Sequence, residues 1–276
     1  MNLLIITWSM IAAVCAMLGL TQAFLWWHSR NESVYPLSMI MAFGAVAVSM
    51  LEMTLSSSPD MVYHERVLVW LNLAVALVLV PMVWSIQAYQ PTARKWLAVL
   101  ISALWVLGIV INFLLPGNLT FSEVLLVERH VTFWGEEYFS SQGTINSWKW
   151  LVDITILLIP LYAIDAAWRA RSLSRAKHGW VIAGGVILFV IIAGIQSLLV
   201  DAGLYHAPFI ISLAFLIVVI ALTWVLARDA VRAGRLAERY EQAQRETERL
   251  MRANLMGEVA AALAHELNQP LAAILG

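Results

Sequence analysis

Charged residues and cysteine are scarce in this sequence. Only 13% of its 276 residues are charged and 61% are hydrophobic, whereas soluble domains carry about 25% charged and about 45–50% apolar residues. The mean hydropathy of +0.78 points the same way. A water-soluble globular protein is therefore excluded. The single cysteine, Cys15, excludes an intrachain disulfide.

Further absences narrow the function. The last apolar segment, residues 208–227, contains no lysine, which excludes a retinal-binding pump or rhodopsin because the chromophore needs a lysine there. The sequence has no Gly-rich loop or acidic metal site that would hold a nucleotide. A metal site is not expected either, because His64, His130 and His206 lack any fixed ligand spacing. A transporter would carry charges in the centre of its apolar segments, but here the polar groups lie toward one side.

The sequence is rich in long apolar runs. A helix needs about 20 predominantly apolar residues to cross a bilayer, and seven runs are about that long. They are residues 3–27, 36–55, 67–89, 96–115, 148–168, 179–200 and 208–227. The first run lacks the basic start of a signal peptide and exceeds its usual apolar length. We therefore predict an all-α membrane protein in which residues 1–227 form a seven-transmembrane-helix bundle.

Basic residues indicate how this bundle is oriented. If the N-terminus is outside, the outer loops hold Arg66, Arg129 and Lys149. The inner side then holds Arg30, Arg94, Lys95, Arg169, Arg171, Arg175, Lys177, Arg228, Arg232 and Arg235. Cytoplasmic loops carry an excess of Lys and Arg. We therefore predict a multi-pass protein with its N-terminus outside and its C-terminus in the cytoplasm.

The connection between the fourth and fifth runs is long. It covers residues 116–147 and faces outward in this orientation. Two stretches, 124–134 and 136–139, flank Gly135 and favour a short β-hairpin that caps the bundle. An amphipathic surface helix is nearly as good an interpretation.

Polar residues within the apolar runs gather in the outer half of the bundle. They are Glu52, Asn72, Asn112, Asp153, Gln196 and Asp201. Such groups are costly in a membrane unless they are paired or line a cavity. We therefore predict a polar cavity near Trp70 and Trp134 that binds a membrane lipid or a small membrane-permeant ligand. The residues expected to bind it are Trp70, Asn72, Asp153, Gln196, Glu52 and Asn112. Helix capping or a headgroup position explains Asp201 and Glu52 equally well.

Residues 228–255 form a charged segment that we predict to be one continuous helix. Apolar or small residues recur in it at intervals of four and three: Leu236, Tyr240, Ala243, Thr247 and Leu250. This spacing is typical of a coiled-coil seam, although Ala and Thr make it weak. The stripe that follows uses Ala253, Met256 and Ala260, so the register slips once near residues 250–253. We predict a cytoplasmic coiled-coil signalling helix, with a solvated single helix as the alternative.

An octapeptide near the end of the sequence contains a candidate nucleophile and a candidate general base. Residues 264–271 read Ala-His-Glu-Leu-Asn-Gln-Pro-Leu. His265 lies two residues from Leu263 and Leu267, and therefore about 200° around a helix from their apolar stripe. It is predicted to face solvent, where a neutral imidazole is a good nucleophile near neutral pH. Glu266 is placed to help remove the proton of the attacking nitrogen.

This octapeptide resembles the phosphoacceptor box of bacterial membrane-bound sensor histidine kinases of two-component systems. The upstream architecture resembles that of the group with a seven-helix N-terminal sensor domain. The resemblance implies that His265 is the phosphoacceptor and Glu266 its general base. Gln269 stands where these kinases often carry a Thr or Asn that assists dephosphorylation. Residues 256–276 would begin the dimerisation and phosphoacceptor domain, and the ATP-binding domain would follow Gly276.

The resemblance also implies partners and cofactors. It implies a homodimer through the cytoplasmic helix, ATP and Mg²⁺ bound by the C-terminal domain, a response regulator that receives the phosphoryl group on an Asp, and a bacterial inner membrane. No nucleic acid partner is expected. The expected function is a protein-histidine kinase in which a stimulus sensed at or in the membrane controls phosphorylation of His265, with this part inactive alone. The alternative is a membrane-embedded receptor or binding module that signals only through its partner helix, without kinase activity.

Overall fold

The computed structural model describes residues 3–28, 33–132, 134–172, 176–201, 208 and 210–275. The side chains of residues 172, 176–178, 197–201, 258 and 260–275 lie outside that description. The chain divides into two compact units, Met1–Leu226 and Ala227–Gly276.

Seven helices dominate the described residues. They are α1 (Leu3–His28), α2 (Val34–Ser57), α3 (Met61–Tyr89), α4 (Lys95–Leu114), α5 (Trp150–Arg169), α6 (Ala176–Asp201) and α7 (Ile211–Leu275). Each contains a stretch that is long and apolar enough to cross a membrane. The prediction of seven apolar helical segments is therefore confirmed.

The start of α3 differs from the sequence prediction. The helix begins at Met61 rather than near residue 67, because the carboxylate of Asp60 accepts a hydrogen bond from the backbone N–H of Val62 at 3.0 Å. Such a cap satisfies an N–H group that has no partner within the helix. The prediction from apolar residues did not include these first turns of α3, because charged residues interrupt the apolar run there.

Small residues allow the helices of the first unit to pack closely. A Cβ atom on Gly44 of α2 would lie 3.0 Å from the backbone carbonyl of Leu77 in α3. A Cβ atom on Gly19 of α1 would lie 3.2 Å from the ring of Phe43 in α2. Because membrane helices gain stability from close packing, small residues at such contacts are typical of them. α2 therefore packs closely against both α1 and α3.

Residues 116–147 contain a β-hairpin. Strand β1 (Phe121–Val131) pairs antiparallel with β2 (Glu137–Ile145). In the turn, Gly135 has a φ of +87° and its N–H donates to the carbonyl of Thr132 at 2.9 Å. Glycine adopts this left-handed conformation without steric cost. The hairpin prediction is confirmed, and the alternative of an amphipathic helix is wrong for this segment.

The tip of the hairpin contacts the start of α1. The carboxylate of Glu136 accepts hydrogen bonds from the backbone N–H groups of Leu3 and Leu4, the latter at 3.0 Å. Desolvation raises the pKa of Glu136, but these hydrogen bonds outweigh it and hold the pKa below its usual value. Leu4 and Trp8 of α1 also pack against Tyr138 of β2. The hairpin is therefore attached to the helix bundle by both polar and apolar contacts.

The second unit contains the continuation of α7. The helix runs without a break to Leu275, so the prediction of a continuous helix over residues 228–255 is confirmed. Leu236, Tyr240 and Leu250 are 54%, 76% and 61% exposed. Their pairing in a coiled coil stays a prediction.

Candidate functional site

The first unit contains a cavity of about 160 Å³. All seven helices and both strands contribute lining residues. The wall is mainly apolar, and two of its aromatic rings, Phe189 and Phe215, stack with their centroids 4.8 Å apart. Three of the predicted ligand-binding residues, Glu52, Asn72 and Asp153, line it. A mainly apolar cavity with a few placed polar groups is the usual form of a small-molecule site.

Glu52 joins the cavity wall to the start of α7. Its side chain is buried, and its carboxylate accepts hydrogen bonds from the backbone N–H groups of Ile211 at 2.7 Å and of Ser212 at 3.3 Å. It also accepts from the Ser212 hydroxyl at 2.6 Å and from the Trp8 indole at 3.2 Å. The first N–H groups of a helix have no partner within it, and its dipole favours a carboxylate there. Glu52 therefore connects α1 and α2 to the first turn of α7.

Asn72 and Asn112 form a second polar network. The Asn72 side-chain amide donates to Asn112 Oδ1 at 3.0 Å, and the Asn112 amide donates to the carbonyl of Val69 at 3.0 Å. Asn112 Oδ1 also accepts from the backbone N–H of Leu119 at 2.9 Å. The Thr120 hydroxyl donates to Asn72 Oδ1 at 3.4 Å. Asn112 thus lies behind the lining residue Asn72, and the network ties α3 and α4 to the segment that precedes β1.

Lys149 and Asp153 form an ion pair in the cavity wall. Lys149 Nζ lies 3.5 Å from Asp153 Oδ1, and both residues line the cavity. Asp153 is in the first turn of α5, where the helix dipole favours a carboxylate. Its side chain is 54% exposed. Asp153 is therefore a paired and half-exposed group, not an isolated buried charge.

Trp70, Trp134 and Gln196 are not among the lining residues. Trp70 lies two residues before Asn72, about 200° around α3 from it, and is 55% exposed. Trp134, in the hairpin turn, is also exposed. The Gln196 side-chain amide donates to the carbonyl of Pro208 at 2.8 Å, and Pro208 itself lines the cavity. Sequence spacing placed these residues near the outer end but did not determine which way each side chain faces.

Trp105 is a lining residue that sequence reasoning did not single out. Its side chain is 3% exposed, and its indole N–H has no hydrogen-bond partner among the described residues. The indole of Trp8, which also lines the cavity, donates to Glu52. An indole nitrogen can only donate, so the wall contains a buried donor without an acceptor. With 13 tryptophans in the sequence, no local pattern distinguishes this one.

The histidines of the described residues are not arranged as a metal site. No group of three or more His, Cys, Asp or Glu side chains is placed to hold a metal ion within the described part of the chain. The ring nitrogens of His64 lie 2.7 Å from the Ser141 hydroxyl and 2.6 Å from the Ser58 carbonyl. His64 therefore attaches β2 to α3. His206 lies outside the described residues.

The phosphoacceptor-like octapeptide lies on α7. The backbone is helical at His265, Glu266 and Gln269, while their side chains, like that of Asp201, lie outside the described residues. The roles expected of them therefore stay predictions.

Comparison with models of protein families finds no match, and neither does comparison with curated proteins. The cavity, the contact of Glu52 with α7 and the sequence of α7 are the observations that bear on function.

Proposed function

We propose that this chain is the sensor and signal-transmitting part of a membrane-bound histidine kinase, in which a molecule bound in the cavity controls phosphorylation of His265. One observation carries the proposal. Glu52 lines the cavity and also accepts hydrogen bonds from Ile211 and Ser212, the first residues of α7. The same helix contains the phosphoacceptor-like octapeptide at residues 264–271.

The proposed signal begins as a change in these hydrogen bonds. An occupant that displaces Trp8, or that competes for the Glu52 carboxylate, changes how firmly α2 holds the first turn of α7. Because α7 is one helix from Ile211 to Leu275, a shift or rotation at its start is transmitted along its axis. The register change near residues 250–253 suits a segment that alternates between two packings.

The proposed chemistry is phosphoryl transfer to a histidine nitrogen. When bound by the domain that the resemblance implies, ATP with Mg²⁺ supplies the γ-phosphoryl group. A neutral ring nitrogen of His265 attacks the phosphorus, so a P–N bond forms as the P–O bond to ADP breaks. Glu266 accepts the proton that the ring loses. An Asp of a response regulator then receives the phosphoryl group. Gln269 stands where related kinases often carry the Thr or Asn that assists dephosphorylation.

Exposed apolar side chains support a location in a membrane. Six large apolar residues of α1 are more than half exposed: Leu3, Met10, Met17, Leu20, Phe24 and Trp27. A soluble protein rarely exposes such a surface, whereas a helix that faces lipid does so throughout. In the proposed bacterial inner membrane, the distribution of basic residues supports an orientation with the hairpin outside and residues 264–271 in the cytoplasm, where ATP is.

The exposed seam of the second unit supports the proposed homodimer. Leu236, Tyr240 and Leu250 recur at heptad spacing, and each exposes more than half of its side chain. Pairing with the same seam of a second copy would bury them in a parallel coiled coil. This pairing would bring two octapeptides together, as a dimeric phosphoacceptor domain requires.

The test of the kinase proposal follows phosphate from γ-labelled ATP. It uses the chain extended by the ATP-binding domain, reconstituted in lipid nanodiscs. We expect acid-labile label on the wild type and none on His265→Gln, with Glu266→Ala slower by about 10²-fold. His28→Gln, an exposed histidine of α1, is the matched control and should be labelled normally. Label that persists in His265→Gln would overturn the assignment, and a wild type that binds ligand without any label would favour the receptor without kinase activity.

A second test addresses transmission through Glu52. Ser212→Ala removes the hydroxyl that donates to this carboxylate and should change unstimulated labelling of His265 by about threefold or more, the equivalent of one lost hydrogen bond. The control is Ser57→Ala, because the Ser57 hydroxyl donates only within its own helix, to the Met53 carbonyl at 2.7 Å. Equal labelling of both variants and the wild type would rule out this route.

A further inference from the structure

The size of the cavity limits what it can hold. At about 160 Å³ it is close to the volume of an apolar protein cavity that binds benzene, about 150 Å³. The stacked rings of Phe189 and Phe215 form part of its wall, and aromatic faces and edges pack well against another ring. These dimensions fit a molecule of about six to ten non-hydrogen atoms, on the scale of one substituted ring.

The charged groups of the wall already have partners. The Glu52 carboxylate accepts hydrogen bonds from Ser212, Ile211 and Trp8, which together occupy its lone pairs. Lys149 and Asp153 pair with each other at 3.5 Å. A charged ligand would therefore lose its hydration and find no oppositely charged group without hydrogen-bond or ion-pair partners among the described lining residues. The balance favours a neutral molecule.

One polar atom of the wall still needs a partner. The lining groups Asn72 and Thr120 share a hydrogen bond at 3.4 Å, and the Ser141 hydroxyl lies 2.7 Å from a ring nitrogen of His64. Within the part of the chain that the structure describes, Trp105 is the lining residue whose buried polar atom has no such partner. A pure hydrocarbon would leave this N–H unsatisfied, whereas an oxygen acceptor would satisfy it.

We propose that the cavity binds a neutral, ring-sized molecule with one hydrogen-bond-accepting oxygen, of the aryl ketone type, and that Trp105 donates its indole N–H to that oxygen. This inference rests on the proposed function in taking the cavity as the sensing site, and it specifies the ligand class. It makes Trp105 the specificity-determining residue, while Glu52 transmits the result to α7.

The test compares four probes of similar size. They are acetophenone, which is a neutral acceptor, ethylbenzene, which has no acceptor, benzoate, which is an anion, and benzylamine, which is a cation. Equilibrium dialysis measures each probe against the purified chain in lipid nanodiscs, and empty nanodiscs correct for partition into lipid. We expect saturable binding of acetophenone that is about three- to tenfold tighter than that of ethylbenzene, the net effect of one hydrogen bond. Benzoate and benzylamine should bind more weakly than either.

Two matched variants identify the donor. Trp105→Phe keeps an aromatic ring but removes the N–H, so the preference for acetophenone over ethylbenzene should disappear. Trp84→Phe is the control, because the Trp84 indole donates to the Ser102 hydroxyl at 2.9 Å and does not line the cavity. Its preference should match the wild type.

The inference is overturned if the wild type binds ethylbenzene as tightly as acetophenone, if either charged probe binds best, or if Trp105→Phe keeps the preference. The wild-type ranking decides even where Trp105→Phe fails to fold. Dialysis requires no phosphoryl transfer, so failure of this inference is distinguishable from failure of the proposed function. If acetophenone binds as expected but has no effect on His265 labelling, the binding site stands and its role in sensing is overturned.

Discussion

Replacing Glu52 by Ala should lower the free energy of unfolding of the first unit by about 3–6 kcal/mol, because buried donors would lose their acceptor. The carboxylate accepts from the backbone N–H groups of Ile211 and Ser212, the Ser212 hydroxyl and the Trp8 indole. Trp8 and Ser212 are 2% and 0% exposed, so these donors have little access to bulk water in place of the lost acceptor. Each such donor costs about 1–3 kcal/mol when it is left unsatisfied. The substitution also removes the desolvation penalty of a buried carboxylate, which offsets part of that cost.

A graded series of substitutions tests this reasoning. Glu52→Gln keeps one acceptor oxygen but turns an NH₂ group toward a donor, so it should cost about 2–3 kcal/mol. Ser212→Ala removes one donor and should cost about 1–2 kcal/mol. Glu123→Gln, at an exposed position of the hairpin, is the control and should stay within about 0.5 kcal/mol of the wild type.

The measurement is unfolding by sodium dodecyl sulphate in mixed micelles, followed by tryptophan fluorescence. The expected order of stability is wild type, Ser212→Ala, Glu52→Gln and Glu52→Ala. If Glu52→Ala unfolds at the same detergent fraction as the wild type, its carboxylate does not hold the start of α7. The proposed route of the signal would then be wrong as well.

Three further predictions concern the polar network behind the cavity wall, the hairpin and the orientation. Asn112→Ala should lower the free energy of unfolding by about 2–4 kcal/mol in the same titration, because a buried backbone N–H loses its acceptor. A decrease no larger than that of an exposed substitution would contradict this. Hydrogen bonds hold the pKa of Glu136 below its usual value. Its contribution to the stability of the contact between the hairpin and α1 is therefore complete above about pH 4.3, the ordinary pKa of Glu. That contribution is lost as the pH falls through the lower pKa of the folded state. Hydrogen exchange at Leu4, corrected for its intrinsic rate, should therefore accelerate in acid in the wild type but not in Glu136→Gln; equal profiles would refute the contact. A reporter that is active only outside the cytoplasm should work within residues 116–147 and fail within 170–178, and the reverse pattern would overturn the orientation.

Much of the fold was predictable because helical segments are a local property of an apolar chain. Runs of about 20 apolar residues predict membrane-crossing helices without any knowledge of their neighbours. The hairpin was predictable for a similar reason, because Gly135 permits the left-handed conformation that its turn adopts. The early start of α3 was missed, since the cap by Asp60 adds turns whose charged residues break the apolar run.

The candidate site was predictable only in part. An unusual polar residue in an apolar run marks a cost that the fold must offset, and this singled out Glu52, Asn72 and Asp153, which all line the cavity. It did not single out Trp105, whose residue type is ordinary in such a sequence. It also misplaced Trp70, because a shift of two residues along a helix turns a side chain by about 200°.

The sequence by itself determined the number of apolar helices, the continuation of the last one and the residues of the octapeptide, because composition, spacing and residue order are local. Only the tertiary structure decided which groups meet. Glu52 and Ser212 are 160 positions apart, and their contact depends on how α2 and α7 are rotated and packed. Whether the indole N–H of Trp105 finds an acceptor depends on all the side chains that pack around it. Hydrogen-bond partners and cavities are properties of non-local packing, which no single stretch of sequence contains.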